Sequence, residues 1–400
     1  MSQLSSKAIE KLRAWWWHRQ GLDDAAQFGS AGDVFAQTGW ARSVGGCSPY
    51  LTLFSRMGMS REAADKAVAN LEIHELPSAR ACTYIVPAQD YSLALRLAQE
   101  TGSGDMRAAG KLGVTRKEID GVCKAVIAAL KKGPLTPDDI RQASGDAVRS
   151  LGPEGQKKGM SSTLPLALGE LQRAGEIRRI STNGRLDNQR YLYGLWWPNP
   201  LSGSSLRESD LLPELARRFF EWIAPARLAD FQAFAGTSQK GAKSAVEGLK
   251  LEPIADDAEF LLPASLRDRF EGFKMPEEAS YRLVNGLDSL LLLRRDASIL
   301  LDAADMEHPL MASASRAGGV LAELPTPAIV DRGRVVGLWE YDPEKDEIAY
   351  AVFGKTNAAL KKAVAETEEY VREQLGDART FSLDSPKSRV PRIEALRKAK

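Results

Sequence analysis

The chain has 400 residues, 44% hydrophobic and 27% charged, a composition that excludes a disordered or fibrous protein. Fifty-four Lys and Arg against 53 Asp and Glu leave a net charge of +1, so overall charge selects no partner and only local clusters can. Three dispersed cysteines, Cys47, Cys82 and Cys123, exclude a disulfide framework. No run reaches the roughly 18 apolar residues of a membrane span, and the start, MSQLSSKAIEKLRAWWW, lacks a signal-peptide core; the expected setting is the cytoplasm, with no membrane contact.

Residues 1–105 read as a first helical unit. Helices are expected over Ser5–Gln20, near Gly32–Thr38, over Pro49–Met57 and over Arg61–Leu71, followed by a strand at Ala81–Val86. Trp15, Trp16 and Trp17 cannot share one helix face. At least one must face a neighbouring domain or solvent, and packing between domains is the preferred reading over stacking on a nucleobase.

Residues 106–200 carry the clearest pattern. Ile119, Val122, Val126, Ile127 and Leu130 fall on one face of a helix that Gly133 and Pro134 stop. Thr136-Pro137-Asp138-Asp139 starts a second helix with a cap, a proline at its first turn and acids against its dipole. A basic connection, SLGPEGQKKGM, leads to a third helix ending near Ala174, with Gly175 beyond it. Strands at Ile177–Ser181 and Gln189–Trp196 flank the hairpin signal Asn183-Gly184. Three helices and a hairpin are the order of a winged helix-turn-helix, whose third helix can enter a major groove. Over 110–200 there are 15 Lys and Arg against 9 Asp and Glu, a net of +6. Lys157, Lys158, Arg173, Arg178, Arg179, Arg185 and Arg190 stand where phosphate contacts are wanted, and double-stranded DNA is the expected partner.

Residues 201–278 repeat the order with a minimal wing and an acidic balance, 10 basic against 14 acidic residues over 201–280. Residues 279–400 change texture. Tyr281–Val284, Ser289–Leu293, the hairpin Ala328–Trp339 with its Asp-Arg-Gly turn, and Ile348–Phe353 read as strands, with Asn357–Leu375 as a long charged helix. The expected fold class is α+β: tandem winged helix-turn-helix domains with a C-terminal β-rich, barrel-like domain.

No metal or cofactor is expected. There are three histidines and no CxxC, HExxH, GxGxxG after a strand, GxxxxGK[ST] or GxSxG.

Five stretches carry a resemblance. HRQGL (18–22), PYLTLFSR (49–56), SARACTYIVP (78–87), GLDSLLLLRR (286–295) and IVDRGRVVGLW (329–339), in this order, resemble elements of the AlkZ/YcaQ-like winged-helix DNA glycosylases. The resemblance implies three tandem winged helices around a DNA channel and cofactor-free hydrolysis of the N-glycosidic bond of alkylated or crosslinked purines, as in DNA repair. It also implies a glutamine-x-glutamine or glutamine-x-aspartate pair that positions water and favours an oxocarbenium-like sugar. Counting back from Arg56 puts that pair at Arg42 and Val44, around Ser43. Valine forms no hydrogen bond, and arginine repels a cationic sugar at close range. Gln37, five residues before Arg42, and His74, between Glu72 and Glu75, are the candidate substitutes; a surface histidine in a charged linker is the plainer reading of His74. Three functions stay open: a DNA glycosylase of altered chemistry, a non-catalytic DNA-binding regulator or lesion-recognition factor, and a protein-interaction scaffold. Three modules in one chain make a monomer sufficient.

Overall fold

A computed structural model describes residues 4–399 of the chain. The helix Ser6–Arg19 opens it, with the Ser5 side chain accepting from the Ala8 amide as its cap. The helix Ala31–Thr38 leads into the two-residue strand β1 (Ala41–Arg42), and the helices Ser48–Met57 and Arg61–Ala69 lead into β2 (Ile73–Pro77) and β3 (Thr83–Pro87). The three strands form an antiparallel sheet in the order β1-β3-β2, with Arg42 opposite Tyr84 and Glu75 opposite Ile85.

Residues 106–200 contain the three expected helices, Arg116–Leu130, Pro137–Ser144 and Leu164–Arg173, and the hairpin of β4 (Ile177–Ser181) and β5 (Tyr191–Leu195). The basic connection between the second and third helices is itself helical over Gly152–Lys157. The next segment has helices Glu208–Ile223, Leu228–Ala235 and Gln239–Val246 and a three-stranded sheet of Ala226–Arg227, Leu251–Ile254 and Asp257–Pro263.

The C-terminal part holds a four-stranded antiparallel sheet of Tyr281–Val284, Ala328–Asp331, Arg334–Asp342 and Glu347–Val352. Its outer strands, Tyr281–Val284 and Glu347–Val352, do not pair with each other, so the sheet is open and not a barrel. Helices Ala358–Tyr370 and Pro386–Lys398 cover it. Ser289–Leu292 is a helical turn and not the expected strand, because the Asp288 carboxylate accepts the Leu290 amide at 2.9 Å and caps it. Among the described residues no helix is long and apolar enough to cross a membrane.

All three tryptophans of the first helix are buried. Trp15 Nε1 donates to the Ala224 carbonyl at 2.8 Å and Trp16 Nε1 to the Pro225 carbonyl at 2.9 Å, while the Arg294 guanidinium lies 4.0 Å over the Trp16 ring. The C-terminal half of the helix is therefore enclosed, and Trp15 and Trp16 meet the segment around Ala224 and Pro225 rather than solvent. The 106–200 segment encloses an apolar cluster of its own around Val122, Val126 and Leu168. The remaining segments share theirs: Tyr50 and Leu51 pack in one cluster with Trp339 and Tyr370, and Trp15 in another with Phe219 and Leu338.

One polar cluster joins these parts. Arg56 forms a two-pronged pair with Asp288, at 2.7 and 2.9 Å, with both side chains withdrawn from solvent. Arg56 Nη2 also donates to Gln20 Oε1 at 3.2 Å, and Gln20 Nε2 donates to the carbonyls of Thr38 and Trp222. Asp288→Ala would strand a buried guanidinium, and a loss of about 3–5 kcal/mol of stability is expected. The double variant Arg56→Met with Asp288→Leu should recover part of that loss; urea midpoints of the three proteins check both.

Candidate functional site

The loop that follows β1 is the centre of a compact polar arrangement. Its backbone continues the sheet, the Ser43 amide donating to the Thr83 carbonyl at 3.0 Å. Strand alternation then separates two faces. Arg42, Tyr84, Leu76 and His74 point one way; Ser43, Ile85 and Glu75 point the other.

Glu75 collects the second face. Its Oε2 accepts the Ser43 hydroxyl at 2.6 Å and lies 3.5 Å from the Tyr191 hydroxyl, and its Oε1 lies 3.3 Å from Arg179 Nη1. Arg179 and Tyr191 belong to β4 and β5, and the guanidinium sits 5.0 Å over the Tyr191 ring. Burial, with Glu75 adding to it, pushes the Tyr191 hydroxyl up, so it stays a neutral donor. A carboxylate offers about four acceptor positions. Three donors leave one for a further hydrogen, in a group that is 8% exposed.

The loop beyond Ser43 is clamped on both sides. Gly45 is in the left-handed region at φ +70°, and any Cβ there would run into the Gln189 side chain from the β4–β5 hairpin. A Cβ at Gly46 would run into the Thr380 carbonyl. The Cys47 amide donates to the Arg379 carbonyl at 2.9 Å and the Ser382 amide to the Val44 carbonyl at 3.1 Å.

The sequence-predicted residues divide. Arg42 is half-buried, with its guanidinium 5.7 Å over the Tyr84 ring and its Nε without a hydrogen-bond partner. Val44 is half-buried. Gln37 is exposed on the helix Ala31–Thr38, with no hydrogen bond to the cluster. His74 is neither in a linker nor on the surface: it lies inside β2, buried against Trp196 at 5.2 Å, with both ring nitrogens unpartnered. Burial, reinforced by Arg178 and Arg179, pushes it down to about 3, so it is neutral near pH 7 and too weak a base to take a proton from water.

Of the seven basic positions, Lys157, Lys158 and Arg190 are exposed. Lys157 pairs with Glu154 at 2.9 Å, Arg173 with Asp105 at 3.6 Å, and Arg185 with Asp187 at 2.5 Å. Arg178 is half-buried, and burial lowers its pKa. The helix Leu164–Arg173 is not free to enter a groove. It packs on Arg116–Leu130 on one side and on Tyr91–Thr101 and β2 on the other, leaving Pro165 as its exposed residue. Gln99 Nε2 donates to the Arg173 carbonyl at 3.1 Å across that contact.

Sequence reading singled out His74 and passed over its neighbour Glu75. The signal available was the period of two: a carboxylate adjacent to a buried histidine on a strand must face the other way.

The family model described as DNA glycosylase AlkZ-like matches residues 35–381. The solved structure of the Streptomyces sahachiroi DNA glycosylase AlkZ is similar, with a TM-score of 0.68 and 20% identity, over 95% of this chain and 99% of that one; at this identity the likeness speaks for the fold. A search among curated proteins finds no match.

Because the folded His74 resists protonation while the unfolded one accepts it near the ordinary histidine value of 6.5, the unfolded state binds the extra proton first on acidification. Stability is expected to be intact above pH 6.5 and to fall below it by up to about 1.4 kcal/mol per pH unit from this group. His74→Phe should remove that share of the loss; urea midpoints at pH 7 and pH 5 for both proteins read it.

Proposed function

The chain belongs to the AlkZ-like DNA glycosylase family, and on that footing we propose that it is a DNA-repair glycosylase hydrolysing the N-glycosidic bond of alkylated purines, with Glu75 as its carboxylate. The observation that carries the assignment is the 2.6 Å hydrogen bond from Ser43 to Glu75. It joins a side chain from β2 to the residue between the two family motif positions, Arg42 and Val44, which hold no carboxamide or carboxylate.

The chemistry asked of Glu75 is modest. A base alkylated on a ring nitrogen is already cationic and leaves with the C1′–N bonding pair without being protonated. What remains is to orient a water toward C1′, take its proton as the C1′–O bond forms, and oppose the positive charge on the sugar. The open acceptor position on Glu75 serves the first two tasks and its charge the third. Arg179, Tyr191 and Ser43 fix the carboxylate without consuming its last acceptor.

In this reading the units at 1–105, 106–200 and 201–278 are tandem winged helices. The 106–200 unit meets DNA through exposed Lys157, Lys158 and Arg190 and not through its third helix, which the first unit covers. One observation favours a second reading, non-catalytic lesion recognition: the motif positions themselves carry Arg42 and Val44.

Release of free 7-methylguanine from methylated duplex DNA separates the two. The wild-type protein should release it, and Glu75→Gln, which keeps the shape and removes the charge, should lower the rate at least about 100-fold, the scale of a general-base contribution, with DNA affinity retained. DNA binding without release by the wild type would establish the non-catalytic reading. For the DNA contacts, the triple variant Lys157→Ala, Lys158→Ala, Arg190→Ala should reduce the log–log salt slope of duplex binding by about 2–3, near 0.9 for each lost phosphate contact. An unchanged slope would remove these residues from the interface.

A further inference from the structure

Two large apolar side chains stand in solvent beside the proposed site. Leu383 is 92% exposed and Phe381 40%, on the loop between the π-helical turn Val371–Leu375 and the helix Pro386–Lys398. A lone exposed leucine needs no explanation. This one sits on a loop whose backbone is fixed. The Arg379 carbonyl accepts the Cys47 amide, the Thr380 hydroxyl accepts Asn285 Nδ2 at 3.1 Å, and the Ser382 amide donates to the Val44 carbonyl. Asp384 closes the tip, its carboxylate accepting the Phe381 amide at 3.1 Å and its own amide donating to the Phe381 carbonyl at 3.0 Å. Ser382, between the two apolar residues, is thus bonded to a motif position.

We infer that Leu383, backed by Phe381, is a wedge that enters a base step of duplex DNA and unstacks the nucleotide presented to Ser43 and Glu75. The inference rests on the glycosylase reading of that site. Its own support is positional: the Ser382–Val44 hydrogen bond holds the Leu383 tip beside the Val44 loop, and Leu383 is 92% exposed there. A target inside a stacked duplex is out of reach of an enzyme acting on its sugar–base bond, and apolar side chains pushed between base pairs are a general means of opening the stack. The fixed backbone matters, since a floppy loop would fold its leucine back onto the protein.

The test uses the full chain and a duplex carrying 2-aminopurine next to a tetrahydrofuran abasic analogue, read by fluorescence at saturating protein. Wild type and Leu383→Met should raise the emission severalfold over free duplex, and Leu383→Ser should leave it within about 1.5-fold of free duplex. A side chain with so little packing to lose should not unfold the protein when replaced, and an unchanged thermal midpoint verifies this. Equal emission rises for wild type and Leu383→Ser would overturn the wedge, as would 7-methylguanine release without any rise in the wild type; both leave the glycosylase reading standing. Absence of DNA binding by the wild type would overturn both. Concentration-dependent self-association that Leu383→Ser abolishes, with no emission change on DNA, would reassign the loop to contact between copies of the chain.

Discussion

The buried pair Arg56–Asp288 holds this molecule's parts in register. Arg56 sits at the end of the helix Ser48–Met57, which the clamped loop feeds; Asp288 follows the first strand of the C-terminal sheet and caps its next helical turn. Gln20 extends the pair to the end of the tryptophan helix and to the carbonyls of Thr38 and Trp222. Two ions out of water are costly unless the geometry is good; here the fork is two-pronged and Gln20 takes a further Arg56 donor, while Arg56 Nε is buried without a partner. Hydrophobic contacts would tolerate small slips between these parts, whereas a fork-to-fork pair with a shared amide tolerates few. Register is what the cluster supplies.

This also explains part of the resemblance in the sequence. The glutamine of HRQGL, the arginine of PYLTLFSR and the aspartate of GLDSLLLLRR lie far apart in the chain and read as three weak motifs. In the fold they are one cluster. Their role in this fold is architectural, since Arg56 binds both of the others and none of the three is hydrogen-bonded to Ser43 or Glu75 among the described residues.

How legible the fold was depended on how local its causes are. The helix Arg116–Leu130, its capping box at Thr115 and Glu118, and the Asp331-Arg332-Gly333 turn, with Arg332 at φ 45° and Gly333 at φ 84°, follow from residues within a few positions of each other. Ser289–Leu292 was misread because four apolar residues in a row look the same in a strand or a buried helix; Asp288 as cap decides it. The site was the least legible. Ser43, Glu75, Arg179 and Tyr191 come from a loop and three strands, and only the docking of the β4–β5 hairpin onto the first sheet brings them together. The same docking turns Arg179 from a presumed phosphate contact into a partner of Glu75 and hides the third helix of its unit.

The objection that an arginine at a motif position would repel a cationic sugar has a geometric answer. Arg42 shares its row with Tyr84 and Leu76, so its charge leans over the Tyr84 ring on the face away from Glu75. Ser43, one residue on, turns to the Glu75 face and presents a hydroxyl instead. The period of two that makes Arg42 look misplaced in a linear motif turns it away from Glu75; under the proposed reaction the acidic function falls to the neighbouring strand, where Arg179 and Tyr191 hold the carboxylate.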